Sequence, residues 1–512
     1  MNSRFFRVTI FASSAFTFLI LCVLSFPLGV PGEWTWVRIS YQQTADRIEL
    51  SLALLILLLV GLGWLYFVRW GATRFSRLSP AARGTMLLGL WASSLLLVGV
   101  LQSMPRSPYP QLKAWVLYYP HSSGYFHTAR YEMQNVSDFL AGYEDRMAEG
   151  DVFHIGTHPP GLFLLHRFLW SRCENSPALT ETVLATMPAS ISDAFDELDA
   201  NLARSAGKLT APDRASLWLA MLLTQSVAVA TIVPLYLLVA RYLSKESAWL
   251  AAACWPLVPS LSIFLPKSDA LYPFIGMLFL WLWVSSEDPK QWWRACAAGL
   301  VFWIGALLSL AVVPIGLIAG LYSVFQWFGG AADDMTPESS KETQTRILLT
   351  IGLSAGTFLL ATLVLWLSRD INLFSVWAWN YQNHARFYDE FTRTLWKWWL
   401  VNPLETFFAV GAPLATAAAW GLSRLKQTPL PFRRIVYSSL LVWGLIWLSG
   451  KNSGEAGRLW LVFLPIVCLP AGVSFEDRKD ESCDNRSWAV WVVALQLAVC
   501  AVTVATVWGF WM

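Results

Sequence analysis

The sequence predicts an all-α fold: a polytopic transmembrane helical bundle of about thirteen spans, with interfacial helices in one large external loop. Three observations carry that prediction. Of the 512 residues, 56% are hydrophobic and only 14% are charged, with a mean hydropathy of +0.47; a soluble domain carries nearer about a quarter charged residues. The excess sits in apolar runs long enough to cross roughly 30 Å of hydrocarbon, which takes about 20 helical residues. Many of the 30 Trp fall near the ends of those runs, as an interfacial aromatic belt requires. The net charge of +3 is too small to argue for nucleic acid, and no basic cluster has the organisation of a nucleic-acid site.

In chain order the runs place spans near 7–28, 50–68, 86–104, 215–240, 248–265, 272–286, 295–309, 312–328, 347–368, 403–423, 436–450, 458–475 and 487–509. The first run follows Met1 to Arg7 like a signal peptide. It is long, however, and Phe26-Pro27-Leu28-Gly29 makes a poor cleavage site, so a retained span is expected. Orientation follows the Lys/Arg bias. The link with Arg69, Arg74, Arg77 and Arg83 has no acid, nor does the link with Arg424, Lys426, Arg433 and Arg434. Both belong in the cytoplasm, which puts the N-terminus inside and the C-terminus outside. Cys22, Cys254, Cys468 and Cys500 fall within apolar runs, with Cys296 at the edge of one, so no disulfide framework is expected.

The stretch 157–172 tempts a further span, but it is short and holds His166 and Arg167. A helix lying along the interface suits it better. Residues 105–214 then form one external region, whose thirteen Asp/Glu against nine Lys/Arg suit the outside. Its polar part, 178–213, reads as a solvated surface helix or insert. The chain divides into 1–85, two spans and a basic link; 86–475, the core including loop 105–214; and 476–512, a cytoplasmic link and the last span.

The polar chemistry collects on the external side. All six histidines fall there or at its rim: His121, His127, His154, His158, His166 and His384. Residues 124–147 can form an amphipathic helix, and Pro159-Pro160-Gly161 breaks the chain before the next apolar segment. His154 and His158 are four apart, a spacing that admits a divalent cation. Gly156 and the Pro-Pro pair argue against a regular helix there, and no third ligand is evident, so hydrogen bonding to a polar headgroup or plain structural bonding is favoured. No other cofactor is called for. Lys267 and Asp269 lie in a tight charged link between two spans, where charge is costly unless paired or solvated. The loop 369–402 adds Tyr381, His384, Arg386, Asp389, Glu390, Arg393 and Lys397. Glu455 and Arg458, three apart, can face each other on a helix start. Taken singly, each of these charges also reads as a snorkelling or ion-paired loop residue.

Ser122-Ser123-Gly124-Tyr125-Phe126 with Ala129-Arg130, then His158-Pro159-Pro160-Gly161, resembles in order and spacing the GT-C superfamily of polytopic glycosyltransferases. The likeness is nearest the protein O-mannosyltransferase and aminoarabinose-transferase-like branch. The stretch from Tyr242 to Asp269 is similar to that family's cytoplasmic link, Pro-containing span and external Asp, and Glu455-x-x-Arg458-x-Trp460 to a late element. The resemblance covers most of 86–475. It departs at Ser122-Ser123, where the family pattern has an acid; Glu33, Asp46, Glu49, Glu144, Asp145 and Asp269 are other places from which an acid can come.

The resemblance implies a GT-C fold in a bacterial inner (plasma) membrane with its active face external. It implies transfer of a sugar from a polyprenyl-phosphate donor to a hydroxyl of a lipid, glycan or protein acceptor. An attacking hydroxyl needs a carboxylate as base. Asp269, Glu455, Glu144 and Asp46 are the candidates. The leaving phosphate needs cations, and the arginine fork suits it. Arg458 is the first candidate, ahead of Lys267 and Arg130, with Tyr125, His154, His158 and His384 for phosphate or sugar hydroxyls. The rival readings are a transporter or flippase for a lipid-linked or polar solute, an O-antigen ligase or polymerase-like enzyme, and a non-catalytic relative of the transferases.

Overall fold

Helix starts fall where the sequence supplies caps. Ser79 accepts from Ala82 N–H with Pro80 behind it, Ser176 accepts from Leu179 N–H before Pro177, and Thr210 and Asp213 form a reciprocal capping box. These devices satisfy amide donors that a helix leaves orphaned at its first turn. The computed structural model describes residues 3–24, 26–104, 109–202, 208–329, 337–476 and 485–509. The expected start of the external loop at 105–108, residues 330–336 of the polar loop near 329–346, and the link 477–484 with Cys483 lie outside the described residues; the rest of that loop, from Pro337, is the start of a helix.

The protein is an all-α bundle and a multi-pass membrane protein. Eight of its described helices are long and apolar enough to cross a bilayer: Phe5–Val23, Thr44–Arg77, Pro80–Ser103, Ala211–Val239, Ser268–Ser285, Leu310–Gly329, Ser340–Arg369 and Trp488–Thr506. A ninth is added if the bent pair Leu395–Val410 and Ala412–Ser423 is one span. Position in the bundle follows burial. Ser268–Ser285 is 72% buried and lies at the centre, whereas Thr44–Arg77 and Ser340–Arg369 are 22% buried and lie outermost. Ile48, Leu52, Leu55 and Leu59 of the outer helix are exposed, as a lipid-facing surface demands.

Two expected spans are interrupted. The run at 403–423 bends by 106° at Gly411, whose φ of +92° few side-chain-bearing residues adopt. The run at 248–265 is split by a turn at Trp255–Leu257 into Lys245–Cys254 and Pro259–Phe264. One side chain serves both breaks. Gln496 donates to the Leu257 and Val410 carbonyls (2.9 and 2.7 Å) and accepts from Leu414 N–H (3.1 Å). Away from water, backbone groups freed by a break must find such partners.

The external region differs from expectation in detail. No single amphipathic helix covers 124–147; short pieces at Tyr125–His127, Thr128–Glu132, Val136–Ala141 and Tyr143–Ala148 replace it, because Asn135 caps a new start and Gly142 interrupts the run. The apolar stretch after Pro160 is one 14-residue helix, Gly161–Glu174, too short to span and packed on Ala211–Ala230. The polar part is a surface helix, as one of the two expected readings has it, with Asp193, Asp196 and Glu197 exposed on one face and a packed apolar face on the other. Ala189–Leu202 buries Ile191, Phe195 and Leu198 against Tyr109–Tyr118, and Asp199 is buried beneath Arg214.

Candidate functional site

Asp151 shapes the turn that carries two of the expected histidines. Its carboxylate accepts from the backbone N–H groups of Phe153, His154, Ile155 and Gly156 at 2.9, 2.9, 2.8 and 3.4 Å. Burial works against the charge, and the amide donors outweigh it, so the carboxyl is held below its ordinary range. His158 N–H then closes on the His154 carbonyl at 2.9 Å, and the Tyr143 hydroxyl donates to the His158 carbonyl at 2.8 Å. The two imidazoles stand 6.2 Å apart.

Tyr125 sits among them. Its ring is 5.5 Å from His154, 5.6 Å from His158, 5.2 Å from Phe163 and 6.1 Å from His166. Gly124 permits this approach: its φ is +66°, and a Cβ there would lie 2.6 Å from the His154 ring. Burial lowers all three imidazoles, His154 to about 3 and His158 and His166 to about 4. The shifts favour the neutral imidazoles, and both ring nitrogens of His154 are buried without a hydrogen-bond partner. Among the described residues no group of three or more His, Cys, Asp or Glu is placed to hold a metal ion.

The link between two spans meets this wall. Ser268 hydrogen-bonds Tyr125 and Tyr272, and Asp269 acts electrostatically on Tyr125, His158, Lys267 and Arg458. Burial and the neighbouring Arg458 lower the Lys267 ammonium to about 7, against the pull of Asp269 and Glu455. Arg458 comes from the far end of the chain. It pairs with Glu455 at 2.9 Å, as the i,i+3 spacing predicts, and its side chain is 21% exposed. Burial opposes its charge, yet Glu455 and Asp269 raise its pKa. Glu455 itself has φ +53° at the start of Ala456–Leu459.

Several residues outside the expected set hold these groups in place. Glu405 accepts from Gly457 N–H (2.8 Å) and Trp36 Nε1 (3.3 Å), fixing the turn beneath Arg458. Asn402 donates to the Asn452 carbonyl and accepts from Gly454 N–H, and the Tyr388 hydroxyl accepts from Asn452 N–H at 2.8 Å. Asn383 donates to the Met147 and Gly156 carbonyls (2.9 and 3.0 Å), tying Leu373–Glu390 to the Asp151 turn. That tie brings His384 close enough to act on His158. Glu405 carried an unused signal in the sequence: a carboxylate inside an apolar run is costly and functional by default.

The structure thus brings together Tyr125, His154, His158, Lys267, Asp269, His384, Glu455 and Arg458. Three expected residues stand apart. Arg130 pairs with Asp213 at 2.8 Å and stacks on Trp170 at 4.5 Å, bracing Gly161–Glu174 against Ala211–Ala230. Glu144 lies on Tyr143–Ala148, and Asp46 is buried in the first turn of Thr44–Arg74. Glu33 accepts from Thr394 N–H and Trp398 Nε1 (2.9 and 2.7 Å), anchoring Leu395–Val410; those bonds overcome burial and lower it to about 2.

A small cavity of about 10 Å³ is lined by Tyr125, His166, Ser268, Leu117, Leu162 and Leu223. A larger cavity of about 700 Å³ lies elsewhere, in the external helices around Asp196, Asp199 and Arg214, where both acids already pair with Arg214. Comparison with protein-family models finds no match, and comparison with characterised proteins finds none.

Proposed function

We propose that this protein is a membrane glycosyltransferase moving a sugar from a polyprenyl-phosphate donor to an acceptor hydroxyl at the external, periplasmic face of a bacterial inner membrane. The observation that carries the reading is the convergence of Arg458, Lys267, Asp269, Glu455 and Tyr125 from three distant segments. Arg458 and Lys267 supply two cations for the leaving phosphate. Asp269 is the base for the attacking hydroxyl, because Glu455 is already engaged in orienting Arg458. The neutral imidazoles of His154 and His158 exchange hydrogen bonds with sugar or phosphate oxygens.

This reading takes the fold to be GT-C type with about thirteen spans and the N-terminus cytoplasmic. The eight long helices and the bent pair account for nine. On this reading residues 245–264, Trp293–Leu308 and Leu461–Ser474 are three short or broken crossings, and the 20-residue, less apolar Leu430–Ser449 is the fourth. The test is transfer by reconstituted protein given a polyprenyl-phosphate sugar and a hydroxyl acceptor. A new glycosidic bond is expected, and its absence across lipid-linked donors contradicts the proposal.

One observation favours a second reading. Interrupted helices that meet within a bundle are a transporter feature, and Gln496 joins two such interruptions. Counterflow of a lipid-linked or polar solute without a new glycosidic bond selects the transporter or flippase.

A further inference from the structure

The helix that begins beside Asp269 ends at a second polar cluster. Ser268–Ser285 has 18 residues, about 27 Å at 1.5 Å per residue, so its ends stand on opposite sides of a hydrocarbon core. Just past its far end, Glu287 accepts from the Tyr322 hydroxyl at 2.7 Å, which accepts in turn from Gln326 Nε2 at 2.8 Å. Arg434 donates to the Gln326 carbonyl oxygen. Arg241 and Arg346 act on the same Glu287 carboxylate from two other elements. Arg294 adjoins Arg241, with its guanidinium over the rings of Trp281 (4.9 Å) and Trp293 (5.5 Å).

Among the described residues the charges here do not balance. Asp288 reaches Arg294 electrostatically, but its oxygens accept from Lys290 N–H (3.0 Å) and Gln291 Nε2 (2.9 Å). Glu342 pairs with Arg346 one turn away. Burial pushes the Glu287 carboxyl up despite the Tyr322 hydrogen bond and the arginines, which weakens its charge further. The Nε atoms of Arg294 and Arg346 are buried without a hydrogen-bond partner. An anion between these arginines would satisfy both the charge and the donors.

We propose that Arg241, Arg294 and Arg346 form a headgroup site for an anionic phospholipid on the membrane face opposite the candidate catalytic cluster. The arginine fork matches phosphate oxygens, and basic pockets between membrane helices are suited to lipid phosphates. The surroundings favour a lipid over free phosphate. Trp292 and Trp293 are exposed at the rim, as interfacial anchors are. Below them Leu300 and Ile304 of one helix and Leu348 and Ile351 of the next are exposed and offer a surface for acyl chains. The site is independent of the activity proposed above.

The experiment uses full-length protein in detergent, with native mass spectrometry and thermal unfolding read against added phosphatidylglycerol, phosphatidylcholine or inorganic phosphate. Phosphatidylglycerol is expected to bind about tenfold more tightly than phosphatidylcholine and to raise the unfolding temperature. The double variant Arg294→Gln/Arg346→Gln should lose that preference. Arg74→Gln/Arg77→Gln, which removes two exposed arginines from the same face, should keep it. If the first variant does not fold, Arg294→Lys retains the charge without the fork and should weaken the preference by about threefold. An unchanged preference in the Arg294 variants, an equal loss in the Arg74/Arg77 variant, or equal stabilisation by inorganic phosphate overturns the proposal.

Discussion

Glu455, Asp269, Tyr125 and Glu405 all act on Arg458. If it binds the departing phosphate, Arg458→Ala should lower transfer by about 100-fold or more, in line with removal of one preorganised charge-stabilising donor. Arg458→Lys should recover only part of that loss, since an ammonium cannot bond two oxygens in one plane. Steady-state transfer rates decide it, and full activity in Arg458→Ala removes the residue from the site. Lys267 predicts a pH dependence. Its pKa is about 7 in the unliganded protein because of burial and Arg458. Phosphate binding favours the charged form and takes up a proton. Donor affinity should therefore be greatest below about pH 7 and fall as pH rises above it. Lys267→Arg should flatten the profile in that range; a flat wild-type profile contradicts the assignment.

At the scale of elements, the site depends on segments tied together by single polar side chains. Asn383→Ala removes two donors to backbone carbonyls and should destabilise the protein by about 1–3 kcal/mol. It should also loosen Leu373–Glu390 from the Asp151 turn, read as faster hydrogen exchange at 147–156. Gln496→Leu strands the Leu257 and Val410 carbonyls within the bundle. Each unsatisfied group costs about 1–3 kcal/mol, so a clear drop in the unfolding midpoint is expected. An unchanged midpoint means that the two breaks find other partners.

For the whole molecule, the prediction concerns sidedness. Only Pro80–Ser103 is long and apolar enough to cross between Ser79 and Ser190 among the described residues. On a background lacking Cys22 and Cys296, Ser190→Cys should react with a membrane-impermeant maleimide from outside, and Ser79→Cys only after permeabilisation. Labelling of both from one side breaks the topology, and the assignment of the cluster to the external face with it.

Membrane class and the position of most helices were legible in the sequence, because hydropathy over about 20 residues is a local property that needs no knowledge of partners. The Glu455–Arg458 pair was legible for the same reason: both residues lie within one helical turn. The Tyr125, His154 and His158 segments were recognisable as chemistry, but their packing around one tyrosine was not. Only the tertiary structure decided that Arg130 is occupied by Asp213, 83 residues away, that Glu33 anchors Thr394 and Trp398, and that Glu405 supports the turn beneath Arg458. It alone placed Gln496 between two interrupted helices. The physical reason is the same in each case. A buried polar group must be satisfied by whatever the fold brings beside it, and that neighbour is set by long-range packing rather than by spacing along the chain.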